Sequence, residues 1–391
     1  MKLFDRFKSF IGLDGGELDT TEIVNLTNQR LSAIDGSSRA MLAAFQQVWI
    51  LRVCASKIAE AVASTTWHLR NGEGAEAEDG PALDLFMQPN TLQTGYTFMW
   101  LTQAYLEVVG EAVWLAIPST EANRTGFEFL PFPPTAVTRL ENGTWDIRLG
   151  EFALNAPDSN VIQIKEPTLG NPFGRGHGMA QTLVDELRID ESAAKHIGAV
   201  FENHARPDMM VMLPGATGSE VDSVKAKWYD EYGGPANSGK VMFAGAKSAD
   251  AEMNAVQLSS SLGDTEARET RTDVEEKARK AYGIPPEIIG DSKDSNRATI
   301  EAAEYLFAKN VVDPRLSRLE ATLNKDVMPL MPGASRRLYG YPSPIPEDRE
   351  FKRKVMETTP TAFYINEARR LAGEDELDEF EGERLSKPAP A

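Results

Sequence analysis

Between residues 38 and 64 the apolar side chains Leu42, Phe45, Val48, Trp49, Val53, Ile58 and Val62 recur at helical spacing, in a window without Gly or Pro. The pattern predicts one long, buried helix. Residues 65–70 alternate as a short strand, and residues 71–80, rich in Gly and Glu, read as an exposed turn. A short helix over 81–87 breaks at Gln88-Pro89-Asn90, and 96–109 forms another buried helix stopped by Gly110. The period then shifts to two. Residues 113–117, 127–132, 136–140, 145–149 and 161–164 are β-rich runs separated by turn residues such as Glu141-Asn142-Gly143, which predicts a small β-rich lobe.

A Gly-rich turn then opens a helix from about Met179 to about His204, carrying Leu183, Leu187, Ile189, Ala193, Ile197 and Phe201 and ended by Pro207. Residues 208–260 look like an inserted α/β module, with strands near 209–213, 240–243 and 254–258 and a short helix over 219–232. The helix over 263–282 is strongly charged. Its pairs Asp273/Lys277, Glu275/Arg279 and Glu276/Lys280 stand four apart with the acid first, the favourable order, and its apolar residues look too few for a core helix. Gly283-Ile284-Pro285-Pro286 stops it, and a polar loop follows. From Arg297 to Met328 the pattern predicts one helix, kinked at Pro314 where a backbone donor is lost. A Pro-rich stretch leads to a helix over 347–357, an acidic tail over 374–383 and a frayed end.

At 391 residues, with 41% apolar and 26% charged side chains, the chain has the composition of a folded protein of more than one structural unit. The net charge of −18 excludes a protein whose affinity comes from gripping nucleic-acid phosphates over its whole surface. The single cysteine, Cys54, permits no internal disulfide and points to assembly in the cytosol. The run Met1 to Leu13 sets Leu3, Phe4, Phe7, Phe10 and Ile11 among Lys2, Arg6 and Lys8, an amphipathic arm suited to docking on a partner and without a signal-peptide core. No apolar run is long enough to span a bilayer.

Catalytic chemistry finds little anchorage. Gly174-Arg-Gly-His-Gly178 has the glycines of a phosphate cradle but neither the Lys-Ser/Thr of a nucleotide loop nor a dinucleotide fingerprint, and reads as a turn. His196 and His204, near Asp190, Glu191 and Glu202, stand eight apart, about 12 Å along a helix and too far to share a metal. Cys54 has neither a helix start nor a fixed cation nearby in sequence and reads as a small core residue. No Gly-x-Ser-x-Gly elbow occurs. No cofactor or metal is expected. Trp49, Trp100 and Phe307 face either the core or a neighbouring subunit.

Several motifs in order resemble the portal proteins of tailed bacteriophages and related gene transfer particles. They are Val53-Cys-Ala-Ser-Lys-Ile-Ala-Glu-Ala-Val-Ala-Ser64, Leu85-Phe-Met-Gln-Pro-Asn90, the Gly-bounded turn at Gly178, Gly283-Ile-Pro-Pro-Glu-Ile-Ile-Gly290, Asp313-Pro-Arg-Leu-Ser-Arg-Leu-Glu320 with Leu323 and Asn324, and Ile365-Asn-Glu-Ala-Arg369 with Gly373. Together they span roughly residues 38–375. The short polar loop after Gly290 and the acidic tail depart from the family pattern.

The resemblance implies an α+β subunit of a ring, normally of twelve copies, with an axial channel for double-stranded DNA and no catalysed reaction. It implies an N-terminal arm (1–37), a wing (38–168), a stem helix (169–205), a clip (206–260) and a second stem helix (261–283). A tunnel-loop region (284–296), a long kinked wing helix with its connection (297–345) and a short helical crown with the acidic tail (346–391) would follow. Asp291, Lys293, Asp294, Ser295, Asn296 and Arg297 are then channel candidates, and Lys225, Lys227, Trp228 and Lys240 clip candidates for DNA or docking contacts. Implied partners are further copies of the chain, the terminase large subunit, a head-tail adaptor, the major capsid protein and a scaffold, at the capsid vertex of a virion assembled in the host cytoplasm. Another head-tail connector ring is the first alternative, disfavoured by length, and a metal-dependent nucleic-acid enzyme the second.

Overall fold

The structure is a computed structural model and describes residues 36–71, 76–77, 80–118, 126–150, 152–203, 209–211, 217–220, 222–223, 226, 255–257, 262–290, 296–331, 337–346, 349–372, 375, 377 and 382–385. The expected amphipathic arm at Met1 to Leu13 lies outside them.

The first helical pattern divides in two, α1 (Ser38–Gln47) and α2 (Trp49–Ala63), because Val48 is extended at φ −97° and ψ 107°. Val48 stays buried through the bend, so the apolar period continues across it and hides the break. Ser37 caps α1 through the backbone N–H of Ala40. The following strand is shorter and later than the pattern suggests: β1 (His68–Asn71) pairs antiparallel with β2 (Glu76–Ala77) and with a distant β11 (Arg337–Gly340). A 3-10 turn and the short α3 (Asp84–Met87) lead to α4 (Gly95–Val109), which is capped by Thr94 and closed by Gly110 at φ +73°.

Then come β3 (Glu111–Pro118), β4 (Phe127–Phe132), β5 (Val137–Arg139), β6 (Thr144–Leu149), β7 (Phe152–Pro157) and β8 (Val161–Lys165). They make two three-stranded antiparallel sheets, ordered β4-β3-β8 and β5-β6-β7. β7 escaped the pattern because Phe-Ala-Leu-Asn-Ala-Pro contains no β-branched residue; it is held by its register on β6, Leu149 opposite Phe152 to Thr144 opposite Pro157.

β3 is buried along nearly its whole length, and its alternation decides the architecture. Ala112, Trp114 and Ala116 join the main core with α1, α2 and α4, whereas Val113, Leu115 and Ile117 build a second core with Phe132, Val137, Trp145, Ile147 and Leu154. The sheet β4-β3-β8 is thus the middle layer between helices and the second sheet. Trp114 packs on Phe98, ring centroids 4.5 Å apart, and donates its indole N–H to Thr102 at 2.9 Å.

The helix expected from about Met179 to about His204 is interrupted at Leu183, giving α5 (Met179–Thr182) and α6 (Val184–Asn203). Met209–Val211 and Ala255–Gln257 form an antiparallel pair, β9 and β10, the described remnant of the predicted inserted module. α7 (Leu262–Tyr282) returns beside α6. Its last turns contradict the reading of a helix outside the core: Val274, Ala278 and Tyr282 are buried, and Ala278 and Tyr282 belong to the main core.

After Gly290 the described chain resumes with α8 (Arg297–Phe307), a π turn (Ala308–Val312), α9 (Asp313–Thr322), a second π turn (Leu323–Val327) and a 3-10 turn (Met328–Leu330). Pro314 begins α9, where a missing N–H costs little, and the irregularity falls in the preceding π turn. Last come α10 (Arg349–Thr358) and α11 (Ile365–Ala372). Beyond α11, Arg384 pairs with Tyr364 in an antiparallel bridge.

Candidate nucleic-acid interface

α6 leaves the core at Leu187, fully buried, and α7 re-enters it at Ala278, so the two run antiparallel with the β9/β10 pair between their outer ends. Asp190, buried on α6, accepts from Arg271 Nε at 2.9 Å and fixes the two helices at the level where they separate from the core. Of the three charge pairs predicted on α7, Glu276–Lys280 is formed at 2.6 Å. It holds the exposed Glu276 carboxyl below its usual range, first through the Lys280 hydrogen bond and then through its charge.

The return of α7 ends in a Schellman turn: Ile284 N–H reaches Arg279 O at 3.0 Å and Gly283 N–H reaches Lys280 O at 3.1 Å, with Gly283 at φ +72°. Ile284 is buried, a 3-10 turn over Pro286–Ile289 follows, and Gly290 at φ +82° aims the chain away. The far side of the loop is also set. Asn296 accepts from Thr299 N–H at 3.0 Å while its own N–H donates to Thr299 Oγ1 at 2.9 Å, a reciprocal cap in which Thr takes the usual place of Glu. Arg297 Nε donates to Glu301 at 2.8 Å with the Arg297 side chain 92% exposed. That bond raises the guanidinium pKa further, so Arg297 stays cationic.

Of the predicted channel residues, Asn296 is therefore a helix cap and Arg297 a solvent-facing cation beside a carboxylate. Asp291, Lys293, Asp294 and Ser295 lie outside the described residues, as do the clip candidates Lys225, Lys227, Trp228 and Lys240. His204 also falls outside, and of the His196 side chain nothing is described. Among the described residues no group of His, Cys, Asp and Glu could hold a metal, and no helix is long and apolar enough to cross a membrane.

Sequence reasoning missed a buried ionic junction beneath the α6/α7 pair. Glu107 on α4, almost wholly buried, is gripped by Arg315 of α9 through both carboxylate oxygens, Nη2 to Oε2 at 3.0 Å, and receives the Gln103 amide at 2.6 Å. Tyr282 at the end of α7 donates its hydroxyl to Glu107 O at 3.2 Å. Burial, followed by the Glu107 charge, pushes the Tyr282 phenol well above its ordinary value. Cys54 sits close by. Burial pushes its thiol up to about 12, opposed in part by the Arg279 charge, so a fixed cation does lie near it, contrary to the sequence reading. The thiol remains a core group. Arg318, one turn beyond Arg315, pairs with Glu166 at the end of the β lobe.

The glycine loop before α5 is filled by its own chain. A Cβ on Gly176 would stand 1.7 Å from Gly110 O, and one on Gly178 2.6 Å from Val108 O, so these glycines permit backbone-to-backbone contact rather than anion access. Arg175 is spent on Glu111 at 3.0 Å and on the carbonyls of Val137 and Pro134. Of the large aromatics, Phe307 is buried, Trp100 is half-buried edge-on to Phe45, and Trp49 is largely exposed.

A family model described as phage portal protein matches residues 50–351. Among solved structures, a chain in the neck of an empty gene transfer agent particle computed with C6 symmetry aligns at TM-score 0.63 and 17% identity, over 92% of this chain and 99% of that one. A chain in the neck of the native particle computed with C12 symmetry gives the same score, identity and coverage. The crystal structure of an HK97-family phage portal protein from Corynebacterium diphtheriae aligns at TM-score 0.54 and 16% identity, over 80% of this chain and 97% of that one. These likenesses fix the mixed helix-and-strand fold. No curated protein sequence matches the chain.

Proposed function

The chain belongs to the phage portal protein family, and from that premise we propose that it closes into a ring, of about twelve copies, at the unique vertex of a capsid. The ring is a passive conduit for double-stranded DNA and a platform for the terminase large subunit during filling and for a head-tail adaptor afterwards. The family match over residues 50–351 carries the proposal. The division into wing, stem, clip, tunnel loop and crown follows from it: α6 and α7 are the stem, the segment between them the clip, the loop between Gly290 and Asn296 the tunnel loop, and the C-terminal helices the crown.

Two surface features support closure into a ring. Leu169 and Phe173 are fully exposed, yet their loop is held by Lys165 Nζ on Pro172 O and Gly174 O, at 3.1 and 2.8 Å, and by Thr168 Oγ1 on Asn171 O at 2.8 Å. This loop abuts the C-terminal end of α4 through Gly176 and Gly178. At the other end of α4, about 22 Å away for fifteen residues, Met87, Leu92 and Tyr96 are exposed. Two apolar surfaces at opposite ends of one rigid helix suit a head-to-tail contact, which repeats until the circle closes, rather than a two-fold dimer. An acidic chain suits the bore, because DNA slides where few phosphates are neutralised.

Light scattering of the purified chain with class averages of stained particles tests the reading. A holed ring of about twelve 43.0 kDa subunits is expected, and a chain that stays monomeric with its head-tail adaptor and DNA-packaging partners present overturns it. Replacing residues 291–296 by a short Gly-Ser loop leaves the ring intact and lowers DNA packaging or retention; unchanged packaging removes the tunnel-loop assignment.

A further inference from the structure

α8 rests on its own chain along a narrow stripe. Ala303 and Phe307 are its buried residues, and it leans chiefly on the 3-10 turn over Pro286–Ile289. Ile300 and Leu306 flank the stripe on either side, about 120° apart around the helix, and are 40% and 49% exposed. The charges divide in the same way. Arg297 is paired with Glu301 within the helix, which leaves Glu304 and, in the π turn that continues α8, Lys309. Both are exposed, and among the described residues neither has an opposite charge as partner. Glu304 stands one turn from Ile300 and shares its side, whereas Lys309, three positions from Leu306, shares the other. Lys309 Nζ donates to the Tyr305 hydroxyl at 3.3 Å and lies 5.4 Å from the centre of its ring. One side of the helix is thus apolar and acidic, the other apolar and basic.

We propose that these sides are a contact between copies of the chain: the Ile300/Glu304 side of one α8 lies against the Leu306/Lys309 side of the next, with the two helices parallel and offset by about 8 Å. The inference deepens the ring reading and rests on it for the neighbour. The offset is what the spacing demands. Parallel helices bring Ile300 beside Leu306 when shifted by six residues, about 9 Å, and Glu304 beside Lys309 when shifted by five, about 7.5 Å, so one position serves both pairs. In antiparallel helices the two pairs call for shifts that differ by seven residues, about 10 Å, and only one pair can form. A parallel contact also uses different sides of the two helices. Each copy therefore keeps one side for the next, and the contacts run on around a ring where a two-fold pair would stop at two.

Cross-linking in a C54A background tests the register, because a disulfide forms only where Cβ atoms come within about 4 Å. With I300C and L306C in the same chain, oxidation of the purified protein is expected to give a ladder of covalent multimers on a denaturing gel, while I300C alone and L306C alone stay single chains. A ring seen by light scattering whose double variant gives no ladder refutes the contact and leaves the conduit standing. A ladder from a protein that never closes into a ring keeps the contact and removes the ring. Cross-linking of L306C to itself refutes the proposal, since that is a two-fold contact. The charges are read separately: E304K and K309E are each expected to raise the concentration at half assembly about five-fold, and both together in one chain to bring it back within about two-fold. A double exchange as weak as the single ones overturns the pairing.

Discussion

Arg315 and Glu107 lie 208 positions apart in sequence and share the most buried ion pair described, with side chains 16% and 3% exposed. Removing one partner strands a charge in the core. R315A is expected to cost about 3–5 kcal/mol in urea unfolding, whereas the double replacement by Met and Leu costs much less than the two single losses together. Nothing local marks either residue, because a lone Glu on a buried helix face and an Arg in Asp-Pro-Arg-Leu look alike until the chain folds. Cys54 was legible as core, and its environment makes a second prediction. A thiol with an ordinary pKa of 9.0 in the unfolded chain and about 12 in the folded one favours the folded state fully below pH 9, and that contribution is lost as pH rises toward 12. Tyr282 shifts in the same direction. Thermal melts should therefore fall steeply above pH 9, less so in C54A, and Cys54 should resist maleimide at pH 8 until the chain unfolds. A Cys54 labelled as fast as a free thiol would contradict its burial.

Elements with a steady period were the readable ones: α4, α6 apart from its break, the strands β3, β4, β5, β6 and β8, and the stop at Gly283-Ile-Pro-Pro, whereas β2 fell in the expected turn and β11 in the Pro-rich stretch. Breaks at Val48 and Leu183 were not, since both residues stay buried through the bend and no Gly or Pro advertises it. The buried end of α7 was averaged away by the many charged residues along the rest of its sequence. The glycine turn was read correctly as a turn, but its reason, contact with Gly110 and Val108, is visible only in three dimensions. G176A should cost about 2–3 kcal/mol and separate α5 from α4, read by thermal melting, because the clash is with backbone that cannot move aside. At the surface, L169S with F173S should leave the melting temperature nearly unchanged while raising the concentration needed for ring formation by ten-fold or more, measured by sedimentation. A ring unaffected by that pair would shift the subunit contact elsewhere.

For the whole molecule, net charge and motif order carried more than any single residue. The family was legible in Gly-Ile-Pro-Pro-Glu-Ile-Ile-Gly and its neighbours, while the channel candidates came from a position in that order and only Asn296 and Arg297 acquired geometry. A subunit of charge −18 repels its copies. Association should therefore strengthen as salt rises from about 0.05 to about 0.3 M, where the Debye length shrinks below about 10 Å; a ring that falls apart over that range would mean that charge pairs between neighbours dominate. One strand has a further consequence. β3 gives alternate side chains to two cores and is bonded along both edges, so neither core can yield while the other holds. Force applied to the outer sheet passes through that strand in shear across all its hydrogen bonds at once. The β lobe and helical layer then move as one stiff body, and compliance is left to the slender α6/α7 pair.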